Sequence, residues 1–295
     1  LLTLALLAHV RRRRALGALD QEAEAFSRGR DEDDWPAVTT QIPLYNEVTV
    51  ARRVIHAVAR LDYPIDRHEI QVLDDSTDET REIVDRTVEQ LVRRGHDVRV
   101  IRRADRAHFK AGALANGLRQ ARGEFVAVFD ADFVPGRDFL RRLIPLIAPK
   151  PDVACVQGRW SHLNADESWM TEAVTVGIDG HFGTEQPGRA WNGLLLNFNG
   201  TAGIWRRAAI LDPRVGGWSG DTITEDLDLS YRAQLAGWRI VYTPLVAVPS
   251  EVPAEVNALK AQQRRWATGS MQTARKLLPM VWRAPISWIQ KAQAP

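Results

Sequence analysis

Apolar positions in this chain change period along its length, and the changes mark out elements. Residues 37–42 form a short β-type run that stops at Pro43, and residues 48–61 then place Val50, Val54, Ile55, Val58 and Leu61 at helical spacing. The unit recurs: 69–73 predicts a strand, 74–78 a loop, and 79–94 a helix with Ile83, Val84, Val88 and Leu91 on one face. Residues 98–102 follow as a strand, 110–120 as a helix and 125–129 as a strand bounded by Gly123 and Pro135. That last strand is apolar throughout, as expected for a strand covered on both faces. Alternating strands and helices, with no repeat or low-complexity segment, predict an α/β fold: a parallel sheet with helices on both faces. The second half is less regular. Residues 153–157, 194–198 and 239–242 read as strands, 225–235 as a helix ended by Gly237, and 251–276 as a long helical stretch.

The ends read differently. Residues 21–34 are polar and acidic without apolar period and predict a linker, so the globular part is expected from Trp35. LLTLALLAHV is apolar for about half the length a spanning helix needs, and Arg11 to Arg14 follow it. A basic run in that place marks the cytoplasmic side of a membrane segment, whereas a signal peptide carries its charges before the apolar core. Residues 1–34 are therefore expected to be the tail of a transmembrane helix from a longer protein plus a linker, residues 35–270 the main globular domain, and 271–295 an amphipathic segment at the membrane interface. In that last segment Trp282 and Trp288 mix with Arg283 and Lys291, as in interfacial helices; an ordinary surface helix packing its tryptophans inward fits the segment equally. A membrane protein with its globular domain on the cytosolic face is the expectation.

Composition narrows the classes. At 45% hydrophobic and 26% charged residues, the 295-residue chain can bury a sizeable core, which excludes disorder. A net charge of +2 carries no signal for nucleic acid, and the single cysteine, Cys155, excludes an intramolecular disulfide.

Candidate chemistry gathers at the strand ends. The strand at 125–129 runs directly into Asp130 and Asp132, and alternate positions on an extended segment face one way. Ligands of open α/β sheets bind at the C-terminal strand edge, and two such carboxylates suit a hard divalent cation, Mg²⁺ or Mn²⁺, that carries a diphosphate. In isolation the pair also reads as an Asx turn. Two further loops leave strands at the same edge: Pro43, Tyr45, Asn46 and Glu47, then Asp74 to Asp78. Their carboxylates can accept from a base N–H and ribose hydroxyls, and Tyr45 offers a stacking face; a turn with a helix N-cap would also account for DDSTD. Lys110 opens a helix at its positive end, an unfavourable place without a bound anion. Thr224, Glu225 and Asp226 start a later helix, either as a dipole-favoured acidic first turn or with Asp226 as a general base.

PLYNE, LDDSTD, FKAGAL, DADF, VQGRW, FNGTAGIWR, TED and QQRRW, in that order, resemble the inverting family 2 glycosyltransferases of the cellulose synthase superfamily over residues 35–269. FNGTAGIWR and FKAGAL are more similar to the cellulose-synthase-like proteins that make β-mannan, glucomannan or glucan backbones, and Phe133 stands where cellulose synthase relatives often have His. The resemblance implies a GT-A fold, a nucleotide-sugar donor (UDP-glucose or GDP-mannose), a divalent cation, and a hexose passed to a growing β-linked polysaccharide with inversion. It assigns Asp226 as catalytic base; Pro43, Tyr45, Glu47, Asp74, Asp75, Lys110, Asp130, Asp132, Gln262 and Arg265 to the donor; Asp132 and Asp130 to the metal. To the acceptor it assigns Trp160, Asn199, Gly200, Thr201, Glu225 and Trp266. A non-processive enzyme glycosylating a lipid, such as diacylglycerol or ceramide, is the alternative, and an inactive nucleotide-binding scaffold ranks below both. A dinucleotide oxidoreductase is disfavoured because the first strand ends in PLYNE without G-x-G-x-x-G.

Overall fold

A computed structural model describes residues 2–294. Its first half runs α1 (Leu2–Ser27), β1 (Val38–Leu44), α2 (Ala51–Ala59), β2 (His68–Asp74), α3 (Thr80–Arg93), β3 (Asp97–Ile101), α4 (Phe109–Gln120), β4 (Phe125–Val128) and α5 (Phe139–Ile147). The second half adds β5 (Val153–His162), α6 (Trp169–Gly180), a π-helical turn (His181–Glu185), α7 (Gln186–Ala190), β6 (Gly203–Arg206) and α8 (Arg207–Ile210). It closes with α9 (Glu225–Leu235), β7 (Arg239–Ser250), α10 (Val256–Arg283) and α11 (Trp288–Ala292).

One seven-stranded sheet, in the order β3-β2-β1-β4-β6-β5-β7, organises the molecule. Its β3-β2-β1-β4 portion is parallel, as expected, but β6 runs antiparallel to both β4 and β5, so the sheet is mixed. Just before β6 the backbone takes positive φ at Gly200 (+82°) and Ala202 (+56°), and Ala202 N–H donates to Val128 O at the end of β4 at 3.0 Å. Within β4 the pleat divides the side chains: Phe125 and Ala127 join the core on one face, Val126 and Val128 the core on the other. Both faces are thereby covered, which is why this strand carries no polar alternation.

Three expectations are corrected. Residues 194–198 form no strand; their amides are met by side chains instead, Leu196 N–H donating to Gln234 Oε1 at 2.9 Å and Phe198 N–H to Ser230 Oγ at 2.8 Å. The linker at 21–34 is largely helix. Leu19, Ala23 and Phe26, spaced by four and three, lay one stripe of α1 on the core, and Phe26 meets Trp35 edge-on at 5.5 Å. The stripe begins before residue 21, so the window 21–34 taken alone hides it. Finally, the boundary at 270 falls inside α10, whose Leu277 and Val281 pack with Leu195, Leu227 and Tyr231. Trp282 (61% exposed) and Trp288 (76%) do not pack inward. Among the described residues no helix is long and apolar enough to cross a membrane; Leu1 and Pro295, at the ends of the two expected membrane segments, lie outside those residues.

Candidate active site

The loops after β1 and β2 are zipped together before they reach any ligand. Asn46, at φ +57°, donates its backbone N–H to Ser76 Oγ at 2.9 Å and accepts Thr77 N–H on Oδ1 at 2.9 Å. Asparagine tolerates the left-handed region because its short amide bonds locally. This brace is a function the sequence motif concealed, since PLYNE drew attention to its tyrosine and glutamate.

Asp74 is corrected. Its side chain is buried, Oδ2 accepts from Arg102 Nε at 2.9 Å and Oδ1 from Ser76 N–H at 3.0 Å, so it supports the loop and does not face a ligand. Asp75 is held by both Nε and NH2 of Arg103, the former at 3.0 Å. Arg106 lies over the ring of Tyr45, and Pro43 is paired within β1 opposite Leu73. Thr201 is corrected as well: it is fully buried, and its hydroxyl accepts Asp130 N–H at 3.0 Å and points to Val128 O at 3.5 Å, so it positions the carboxylate from beneath the cleft surface.

Asp130, Asp132, Lys110, Gly200, Glu225, Asp226, Gln262, Arg265 and Trp266 all come together along a cleft of about 890 Å³. Lys110 Nζ, on the first turn of α4, is 2.6 Å from Asp130 Oδ1, 3.7 Å from Glu225 Oε1, and donates to Gly200 O at 3.0 Å. Burial opposes its charge, but Asp130 and Glu225 hold its pKa above the ordinary lysine value. Asp132 moves the other way: burial, then the charge of Asp130, pushes it up to about 7, and Glu47 is raised by burial and by Asp130 in the same manner.

That donor set fits a divalent cation of the expected kind. Among the described residues no group of three or more His, Cys, Asp or Glu side chains is placed to hold an ion, so a dedicated protein cage is absent there. Two crowded carboxylates in a roomy cleft are instead what Mg²⁺ or Mn²⁺ uses when substrate phosphates complete its shell.

Asp226 stands at a junction. Thr224 occupies the N-cap position of α9 without a side-chain cap bond, while Asp226 lies inside the first turn and accepts Leu227 N–H on Oδ1 at 2.8 Å. It therefore stands in an acidic first turn together with Glu225 and Asp228. Burial and the neighbouring Glu225 raise its pKa, a direction that suits a base working near neutrality. Gly200 has φ +82°, which side chains rarely adopt, and a Cβ there would sit 3.0 Å from Asp226 Oδ2, so glycine lets this loop lie against the carboxylate without strain. From the other side α10 closes in at Gly269, where a Cβ would meet Thr224 at 2.4 Å, and Gln272 Oε1 accepts Ile223 N–H at 2.9 Å. This close approach is what brings Gln262, Arg265 and Trp266 over Asp226.

A second cavity, about 740 Å³, shares Asp226, Asn199, Gln262, Trp160 and Trp266 with the first and continues between α6 and α10 along Trp169, Met170, Phe182 and Leu259. Trp160 is held there between Phe133 at 5.2 Å and Phe182 at 5.1 Å. Trp169 and His181 were not anticipated; they lie in a stretch read as irregular, where only the capping pair Ser168 and Thr171 signals a helix start.

Residues 36–269 match the family model "Glycosyltransferase like family 2". The chain is 42% identical over 249 residues to glucomannan 4-beta-mannosyltransferase 2 of Arabidopsis thaliana, covering 83% of this chain and 46% of that protein. It is 43% identical over 248 residues to glucomannan 4-beta-mannosyltransferase 1 of Oryza sativa subsp. japonica, covering 83% and 47%. It thus spans about half the length of these relatives. Among solved structures, a mannosyltransferase from Pyrobaculum calidifontis in complex with GDP-Man and Mn²⁺ superposes with a TM-score of 0.62 at 23% identity, over 99% of this chain and 77% of that one. S. aureus TarS 1-349 in complex with UDP-GlcNAc gives 0.64 at 18%, over 88% and 70%. With a mixed sheet of GT-A type and its strand-end carboxylates aligned on one cleft, the chain belongs to glycosyltransferase family 2.

Proposed function

We propose that this chain transfers mannose from GDP-mannose to the non-reducing end of a growing β-1,4-linked mannan or glucomannan, with inversion. The observation that carries the reading is Asp226 at the junction of a charged cleft and an aromatic groove: donor chemistry on one side, a surface for sugar faces on the other. The glucomannan mannosyltransferase relatives and the GDP-Man neighbour support mannose over glucose.

In this reading Asp226 accepts the proton of the acceptor hydroxyl as its oxygen bonds to the anomeric carbon, and the bond from that carbon to the diphosphate oxygen breaks on the opposite face. Asp130 and Asp132 would hold a divalent cation, which when bound stabilises the charge on the departing nucleoside diphosphate. Lys110 and Arg265 add charge-assisted contacts to the diphosphate, Asp75 and Tyr45 receive the nucleoside, and Trp160 and Trp266 stack on the acceptor. Alignment of the reacting atoms across the junction supplies much of the remaining acceleration.

Membrane attachment at the cytosolic face belongs to the same proposal. Exposed Arg12 to Arg14 on α1, and exposed Trp282, Trp288 and Ile289 on α10 and α11, support it. Incubating membranes carrying the enzyme with GDP-mannose or UDP-glucose and a β-1,4-manno-oligosaccharide tests the whole reading. Elongation by mannose from GDP-mannose is expected; label appearing only in a lipid, or only from UDP-glucose, overturns it.

A further inference from the structure

At the end of α6 the helix widens into the π-turn His181–Glu185, a form that is rare and concentrates at functional sites. It places His181 in the wall of the aromatic groove, with Nδ1 2.9 Å from Glu185 Oε2. Glu185 is itself held by Arg189, whose Nε donates to Oε1 at 3.0 Å. His181 first, with Arg189 adding to it, keeps the Glu185 carboxyl down at about 2, so it stays an acceptor at any working pH. A carboxylate can only accept, so Nδ1 is the donor in this contact.

The consequence appears one bond further on. Gln186 Nε2 donates to the Asn197 carbonyl and so also to Asn199 Oδ1, which leaves Asn199 Nδ2 as the donor 3.1 Å from His181 Nε2 and the ring N–H on Nδ1 toward Glu185. On its other side Asn199 Oδ1 accepts from Gln186 Nε2 at 2.6 Å; Gln186 is 1% exposed and also donates to Asn197 O at 2.9 Å. The backbone N–H of Asn199 donates to Gln157 Oε1 at 3.0 Å. Both ends of the Asn199 amide are thereby assigned, and one hydrogen of its Nδ2 is left over. Asn199 lines both cavities and precedes Gly200, the residue that lies against Asp226.

We propose that Glu185, His181 and Gln186 form a positioning relay that fixes the Asn199 amide so that its remaining N–H addresses a hydroxyl of the acceptor sugar and selects which hydroxyl meets Asp226. The inference rests on the glycan-acceptor reading above. His181 and Glu185 are positioning residues: they act through Asn199 and not on the reacting atoms.

The variants His181→Phe and His181→Gln separate this role from packing. Phenylalanine keeps a ring against Phe182, now 5.0 Å away edge-on, but removes the acceptor; glutamine restores an oxygen for Asn199 Nδ2. His181→Phe is expected to raise the KM for a β-1,4-manno-oligosaccharide about tenfold, the worth of one hydrogen bond, with the Kd for GDP unchanged. His181→Gln should recover most of that loss. An unchanged acceptor KM in His181→Phe, or equal impairment in both variants, overturns the relay. Histidine ¹⁵N NMR of the unaltered chain gives a readout without turnover: the Nδ1–H tautomer is expected at His181, and the Nε2–H tautomer overturns the proposal. If the unaltered chain elongates no mannan, the functional reading fails, while the tautomer still decides the relay.

Discussion

The charged cleft and the aromatic groove meet at Asp226 but are assembled by different means. In the cleft, Asp130 and Asp132 sit just beyond a strand end, Asp130 two residues past β4 with its amide tied to Thr201 beside the β4–β6 ladder, while Glu225 and Asp226 come from the first turn of α9. The groove has no such ladder. Its walls are α6, the π-turn and α10, and α10 is seated by its close approach at Gly269 to Thr224 at the start of α9. The strand-end carboxylates are fixed by the sheet, whereas Lys110, Asp226 and the proposed acceptor surface are carried by helices.

Substitutions on the two sides should therefore separate in kind as well as in size. The largest effect is expected from Asp132→Ala, or from chelation of the divalent ion in the unaltered enzyme. Either should abolish transfer and weaken GDP-mannose binding together, as calorimetry beside a turnover assay would read; full activity in excess EDTA would remove the metal from the scheme.

Asp226→Asn comes next. The amide keeps the shape and can still accept Leu227 N–H, but it cannot take a proton, so kcat should drop by about 10²- to 10⁴-fold while GDP-mannose affinity stays near normal. Near-normal turnover would remove Asp226 as base, and lost nucleotide binding would move it into the donor side.

A third experiment probes the sheet alone. His68, 7% exposed on β2, shares a 2.8 Å hydrogen bond with Thr40 Oγ1 on β1, and burial pushes its pKa down to about 4. The folded value lies below the unfolded one of about 6.5, so between these pH values the unfolded chain binds more protons and stability falls as pH falls. At about 1.4 kcal/mol per pH unit the loss reaches about 3 kcal/mol by pH 4. Denaturant titrations from pH 7 to 4 should follow that slope, and His68→Gln should flatten it; equal slopes in both proteins would acquit His68.

The smallest expected effect is on the helical side. Trp266→Ala should raise acceptor KM about three- to tenfold, the worth of one aromatic contact, without altering donor Kd, and a change in donor Kd instead would make Trp266 a donor contact.

The parallel half of the fold was legible because its rules are local in the chain. Continuous apolar runs such as 125–128, helical periods such as Val54, Ile55 and Val58, and the chemistry of strand-end loops each fit within a few residues. Asp130, Asp132 and Asp226 could be singled out for the same reason: a short motif carries each of them, and the resemblance of those motifs to a family ordered them into one site. What remained hidden depends on partners distant in sequence. Asp74 and Asp75 look alike in DDSTD, yet Arg102 turns the first inward and Arg103 claims the second. Thr201 reads as a polar loop residue until β6 reverses and buries it under Asp130. Residues 194–198 have the composition of a strand, but Gln234 and Ser230 of α9 satisfy amides that a ladder would otherwise take. The π-turn that aims His181 at Asn199 has no period to betray it. Sequence alone determined which carboxylates and which strand edge were available, because covalent spacing and backbone hydrogen bonding act over short range. Only the tertiary structure decided which of those groups face the cleft, because that choice lies with partners up to about a hundred residues away in the chain, such as Gly200 on Lys110, that compete for the same donors and acceptors.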